Sequence, residues 1–351
     1  MHHDDPAVSS DTAASMAGRI TSQLLAGPKA KSPEGVVQRI LAVQAQDARG
    51  ARLAIRARST GLTVAAVDHA FTETRSLVIT WLNRGTLHLV AADDYWWLHA
   101  LTAGRTVVAN ERRLRQEGVS PKQATRGIDV ILRTVTADGP RTRDELRLAL
   151  DDASVPTKGQ ALVHLLLAAS LHHDLVRGPM RGREHAFVSA SAWLGPPPPP
   201  LDRDDALALL CRRYLEGHAP ASPDDLAAWS GLPLGDARRA FEHAGVAVTA
   251  RKPRPLHPPM LLGPFDPLLH GWASRAALVG DHKGIVTTNG IFRPIALVDG
   301  RAVAIWSLAS GVLTINPLEP LSAATRRALE RDATDVLRFL ELPPREAAFT
   351  A

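Results

Sequence analysis

Two glutamines, Gln44 and Gln46, lie two residues apart in the segment Leu41-Ala42-Val43-Gln44-Ala45-Gln46-Asp47. Each amide offers a carbonyl acceptor and an NH2 donor, so the pair can aim polar groups at one point. An amide has no useful pKa near neutrality, and neither residue can act as a general base. What they can do is hold and orient a water molecule. The same residue types also suit the satisfaction of backbone groups at a helix end, and the residues alone leave that choice open. Asp47 follows directly, off the alternation. At the start of a helix an acid is a favourable cap, and beside two amides it is also a candidate base.

The charge around this turn is one-sided. Arg39, Arg49, Arg52, Arg56 and Arg58 flank it, and Asp47 is the sole acid between positions 39 and 58. Arg49, Arg52 and Arg56 are three and four apart and so share a helix face. Such a stripe is either a solvated face or a set of phosphate contacts. Two loops repeat the theme, with Arg177, Arg181 and Arg183 in one and Arg251, Lys252 and Arg254 in the other. The whole chain is only weakly basic, with 41 Lys and Arg against 36 Asp and Glu. That total does not by itself imply a polyanionic partner. Of the 41 basic residues six are lysine; arginine suits bidentate phosphate contacts, although a GC-rich genome raises Ala, Arg and Pro together.

The elements that must position these residues follow a recurring order. Helical stretches are predicted over Met16–Leu25, Pro33–Val43 and Ala48–Arg58, followed by a hairpin of Leu77–Leu82 and Thr86–Val90 around Asn83-Arg84-Gly85. In the next copy Ile128–Val135 leads to the capping box Thr142 and Glu145, then to a helix over Gly159–His172. A hairpin of Leu175–Val176 and Ala186–Val188 closes it. In the third, Asp204–Leu215 is followed by Ser222-Pro223-Asp224-Asp225 as a cap with proline in the first turn, then Gly235–Ala244 and a strand over Val246–Thr249. Three helices and a hairpin describe a winged helix. The fold class expected is α+β, mainly helical, with three tandem winged helices and a C-terminal α/β element. The boundaries expected are a disordered terminus over 1–12, winged helices over 13–124, 125–195 and 202–260, a polyproline spacer over 196–201, and a β-rich α+β domain over 261–351. In that last domain strands are expected at Gly284–Thr288, Phe292–Val298 and Val303–Leu308, with a helix over Ser322–Leu340.

Several function classes are excluded by what is missing. One cysteine, Cys211, cannot form an internal disulfide, and no CxxC pair is present. No phosphate-binding glycine loop, HExxH zinc helix, GxSxG elbow or dinucleotide fingerprint occurs. The expectation is a soluble, cytoplasmic, monomeric protein with no signal peptide, membrane span, metal or cofactor.

At the glutamine turn the chain resembles the AlkZ/YcaQ-like DNA glycosylases, a winged-helix superfamily with a Gln-apolar-Gln or Gln-apolar-Asp motif at this point. Gln44-Ala45-Gln46 matches the first form, typical of the branch that unhooks interstrand crosslinks made by azinomycin-type natural products. Further matching blocks are Asn83-Arg84-Gly85-Thr86-Leu87-His88-Leu89-Val90, Leu262-Gly263-Pro264-Phe265-Asp266-Pro267-Leu268-Leu269 and Thr287-Thr288-Asn289-Gly290-Ile291-Phe292-Arg293-Pro294. The resemblance implies a monofunctional DNA glycosylase acting on N7-alkylated purines in double-stranded DNA, in repair or self-resistance. Gln44 and Gln46 would be its catalytic residues and Asp47 a further candidate. Arg49, Arg52, Arg56, Arg84, His88, Arg177, Arg181, Arg183, Arg251, Lys252, Arg254 and Arg293 would contact the DNA. The alternative is a non-catalytic winged-helix protein, either a transcription regulator or one that sequesters a drug or lesion.

Overall fold

The structure is a computed structural model that describes residues 15–172, 174–245, 252 and 254–350. The expected disordered terminus over 1–12, the strand over Val246–Thr249 and Arg251 lie outside the described residues. The chain is a mixed α+β protein in two compact units, one made of residues up to Val67 together with those from Leu207 onward, the other of Asp68–Ala206.

In the first unit the helices are α1 (15–22), α2 (Pro33–Ile40) and α3 (Ala48–Arg58), with the two-residue strand β1 (Val43–Gln44) between the last two. Ser32 caps α2 by accepting from the Gly35 N–H, and Pro33 occupies the first helical position. Helix α4 (Val64–Thr72), absent from the sequence expectation, leads out of this unit. The chain returns from the second unit through α11 (Arg203–His218), and α12 (Pro223–Ser230) and α13 (Leu234–Ala244) follow. The expected cap of α12 is present as a full box between Ser222 and Asp225.

The remainder is the expected β-rich region. Its sheet runs β10-β9-β8-β7-β6, built from β6 (Met260–Leu262), β7 (Ile295–Val298), β8 (Arg301–Ala309), β9 (Val312–Pro317) and β10 (Ala348–Phe349). Asp299-Gly300 makes the β7–β8 turn, with both residues at positive φ. Helix α15 (Ala323–Phe339) covers one face, and α14 (Ala276–Val279) is a single turn. Gly284–Thr288 is not a strand: Thr287 closes a turn to Ile291, and only an isolated bridge, Val286 to Phe292, forms there. The run Gly-Ile-Val-Thr-Thr sets its two apolar residues side by side, with no alternation to hold it in a ladder.

The second unit holds β2 (Leu77–Leu82), β3 (Thr86–Ala91), α5 (Ala92–Thr102), α6 (Val107–Gln116), α7 (Pro121–Ala137), α8 (Arg143–Asp152), α9 (Ala161–Leu171), β4 (Leu175–Arg181), β5 (Glu184–Ser189) and α10 (Ala190–Leu194). The order of three helices and a hairpin expected over 125–195 is present as α7, α8, α9 and β4–β5, with the Thr142–Glu145 capping box in place. The hairpin assigned to the preceding copy does not stand apart from it. Strand β2 pairs antiparallel with β4, Ile79 opposite Arg177, so both hairpins join one sheet. All six residues of β2 are buried, as a central strand requires.

Candidate active site

The glutamine turn is built by the abrupt end of α2. Leu41 takes a left-handed φ of 65°, and the Ala42 N–H closes back on the Ile40 carbonyl at 2.8 Å. The chain then extends through β1 and enters α3 at Asp47, whose Oδ1 accepts from the Gly50 N–H at 2.6 Å. Asp47 is thus the helix cap that its position suggested.

Helix α3 is held at both ends by the segment that follows β6. At the N-terminal end, a Cβ on Gly50 would lie 2.4 Å from the Pro264 carbonyl oxygen, and one on Gly263 would lie 2.9 Å from the Leu53 Cβ. Only glycine at both positions allows this approach. At the C-terminal end, Arg58 and Asp266 form a fully buried bidentate pair with bonds of 2.7 and 2.9 Å. Arg58 also donates to Gln23 Oε1, and Asp266 accepts from the Leu268 N–H. The pair therefore has the added hydrogen bonds that a buried ion pair needs in order not to be a net liability. Sequence reasoning placed Arg58 in the basic flank and missed this partner; the signal was Asp266 in the Leu262–Leu269 block, 208 residues away along the chain.

On this fixed base the two amides differ. Gln44 is 8% exposed, and its Oε1 is buried with no hydrogen-bond partner. Gln46 is exposed, and its amide makes no hydrogen bond among the described residues. A buried acceptor left unsatisfied costs about 1–3 kcal/mol, so Gln44 Oε1 is poised to accept from a small donor such as water. The turn brings Gln44, Gln46 and Asp47 together through the chain itself.

The expected phosphate contacts divide. Arg49 is exposed beside the turn, with one bond to the Leu308 carbonyl at 3.3 Å. Lys252, Arg254 and Arg293 in the same unit are exposed, and the Arg254 stem packs on Gly27. In the other unit Arg84, at φ 57° on the β2–β3 turn, is exposed, as are Arg181 and Arg183. Arg181 is partly engaged, donating to the Pro140 carbonyl at 3.0 Å with Glu145 3.6 Å away.

Four others are committed to the fold, which leaves their expected phosphate role without support. Arg56 is 5% exposed and tied to Asp332, Asp335 and the Leu261 carbonyl. The Arg56 end of the shared helix face therefore meets α15 and β6, while Arg49 at the other end stays exposed. Arg52 is 6% exposed and bonded to the Ala48 carbonyl. Arg177 lies within 5.1 Å of the Trp81 ring and 5.0 Å of the Phe187 ring, and burial lowers its pKa to about 10. His88 bonds the Thr86 carbonyl through Nδ1, and burial lowers its pKa to about 4. It is neutral at pH 7 and cannot be a cationic phosphate contact.

Comparison with known proteins places this arrangement. A family profile described as "DNA glycosylase AlkZ-like" matches residues 37–339, which begin in α2 and end with α15. The chain belongs to the AlkZ-like DNA glycosylase family. An interstrand DNA cross-link repair glycosylase from Streptomyces sahachiroi is 28% identical over 92% of this chain and 94% of its own. The solved structure of the Streptomyces sahachiroi DNA glycosylase AlkZ superposes with a TM-score of 0.77 at 23% identity, covering 96% of this chain and 99% of that one. This AlkZ-like protein is accordingly an enzyme that acts on N-glycosyl bonds of DNA, and the non-catalytic alternative is set aside. Among its described residues no group of three His, Cys, Asp or Glu could hold a metal ion, and no helix is long and apolar enough to cross a membrane.

Proposed function

We propose that this chain is a monofunctional glycosylase for bulky or crosslinked N7-alkylpurines in duplex DNA, acting in crosslink repair or in self-resistance to a DNA-alkylating natural product. The observation that carries the reading is the unsatisfied, buried Gln44 Oε1 two residues from the exposed Gln46 amide, on a helix clamped at both ends. A water held by these amides attacks the anomeric carbon as the bond to the purine nitrogen breaks. The electron pair goes to the leaving base, where it neutralises the positive charge that N7 alkylation placed on the ring. The water loses its proton to solvent or to the uncapped oxygen of Asp47, leaving an abasic site. Because the leaving group is already activated, two positioning amides suffice and little proton abstraction is demanded. No lysine is assigned as a nucleophile, so strand cleavage is not coupled to excision.

In the same reading the helix and hairpin sets are winged helices, and the DNA backbone is met by the exposed cations Arg49, Arg84, Arg181, Arg183, Lys252, Arg254 and Arg293, together with Arg251. The protein works as a monomer in the cytoplasm. The test is single-turnover incubation with an N7-alkylguanine duplex followed by alkali. The wild type should give cleavage at the lesion, and Gln46→Ala should lose about a hundredfold in rate. Asp47→Asn still caps α3 and should retain most of the rate. Full excision by Gln46→Ala, with loss in Asp47→Asn, would transfer the role of activating water to the carboxylate.

A further inference from the structure

At the far end of α3 from the glutamine turn lies a cavity of about 300 Å³, lined by Lys29, Arg56, Ser59, Thr60, Gly61, Leu62, Asp335, Arg338 and Phe339. Its walls are laced together: Ala30 N–H donates to the Arg58 carbonyl at 3.0 Å, and Thr60 N–H donates back to the Ala30 carbonyl at 3.1 Å. Gly61 sits at φ 74°, which allows the loop to turn over the opening.

The charges of this cavity do not close. Arg56 is bound by Asp332 and Asp335, and Arg338 by Asp335 and the Leu62 carbonyl. Lys29 has no hydrogen bond and no ion pair among the described residues, although it is half-buried. Burial lowers its pKa, and the nearby Arg56 and Arg58 guanidinia add to that against the pull of Asp332 and Asp335. Three cations (Lys29, Arg56 and Arg338) against two carboxylates (Asp332 and Asp335) leave one positive charge. That is the complement of a single phosphodiester, and the Ser59 and Thr60 hydroxyls supply neutral donors beside it. In the sequence Lys29 is a single lysine in a loop and stands in no pattern that marks it.

We propose that this cavity is a phosphoryl site and that its occupant is a backbone phosphodiester of the bound duplex, with Lys29 as the principal contact. This rests on the duplex being the substrate. Helix α3 has 11 residues, so at 1.5 Å per residue the site lies about 16 Å from the helix start.

The experiment uses the full chain with an unmodified duplex, so it reads binding and does not depend on excision. Three forms are compared, wild type, Lys29→Met and Lys29→Arg, each first checked for a native circular dichroism spectrum. The salt dependence of duplex affinity should lose about one phosphate's worth of slope, near 0.9, in Lys29→Met and recover in Lys29→Arg. Inorganic phosphate should raise the melting temperature of the wild type above that in chloride at equal ionic strength, and Lys29→Met should lose this difference. Phosphate stabilisation that depends on Lys29, with an unchanged duplex slope, would make this a pocket for a free phosphorylated compound and overturn the DNA assignment. Absence of both effects would overturn the site altogether. Normal phosphate and slope behaviour in a chain that excises nothing would leave this inference standing while refuting the proposed reaction.

Discussion

Gly50→Ala is the sharpest probe of whether the clamp on α3 is what orients the glutamine turn. The added Cβ would meet the Pro264 carbonyl oxygen at 2.4 Å and the Pro264 Cγ at 3.0 Å. Non-bonded atoms are comfortable at about 3.5 Å, so the first turn of α3 or the Gly263-Pro264 segment must retreat by about 1 Å. Gly50 N–H is also the donor to the Asp47 cap, so the displacement passes directly to the residue next to Gln46. Overpacking of this kind costs about 1–3 kcal/mol in stability. A 1 Å misplacement of positioning groups costs about a hundredfold in rate. Single-turnover excision of an N7-alkylguanine duplex, measured below the melting temperature of the variant, should therefore fall about a hundredfold while duplex binding changes little. Gly235→Ala in α13 is the control, since nothing lies within 4 Å of the added atom; it should be neutral. Wild-type excision and wild-type melting temperature in Gly50→Ala would refute the idea that close approach at Pro264 fixes the turn.

Other outcomes follow from the same geometry. Removing one partner of the Arg58–Asp266 pair, as in Asp266→Ala, strands a fully buried guanidinium and should lower stability in urea by about 3–5 kcal/mol. His88 and His218 fold neutral, with burial lowering their pKa values from 6.5 to about 4 and about 3. Between those values and 6.5 the unfolded chain binds protons that the folded chain refuses, so stability falls as pH drops through that window. At about 1.4 kcal/mol per pH unit for each proton, His88 contributes a loss of about 3 kcal/mol; denaturant melts at pH 7 and pH 4.5 should separate accordingly, and His88→Gln should narrow the gap. In the β4–β5 loop, Arg183→Ala should reduce the salt slope of duplex binding by about 0.9, whereas Arg181→Ala should change it less because that side chain is already engaged by Glu145 and the Pro140 carbonyl.

Local rules carried the sequence reading a long way. Capping signals at Thr142, Ser222 and Asp47 placed helix starts that the structure has, because a cap is a contact between residues three apart. Hairpin turns at Arg84-Gly85 and Asp299-Gly300 were legible for the same reason. What escaped was set by partners far along the chain. The stripe Arg49, Arg52, Arg56 has helical spacing, but spacing cannot say that Asp332 and Asp335 wait on the Arg56 side. His88 alternates like any strand residue, and its neutrality follows from burial that only the assembled sheet provides. The grouping of hairpins failed likewise: each was found, but the pairing of β2 with β4 is non-local. Within the candidate site, the Gln44-Ala45-Gln46 motif was visible, while the orphaned Gln44 carbonyl and the Lys29 cavity were not.

The Arg58–Asp266 pair also has a consequence for synthesis. The unit that carries the glutamine turn is split in the sequence by the whole of Asp68–Ala206. A chain growing from its N-terminus makes Gln44 well before the partners that pin α3, since Pro264, Asp266 and Asp332 follow only after the whole intervening unit. The intervening unit is contiguous and can form while the rest is still being made. The nascent protein therefore carries its glutamine turn unfastened while the whole intervening unit is being made. Chains truncated anywhere between the glutamine turn and α15 should be unable to excise a base even though every residue of the motif is present.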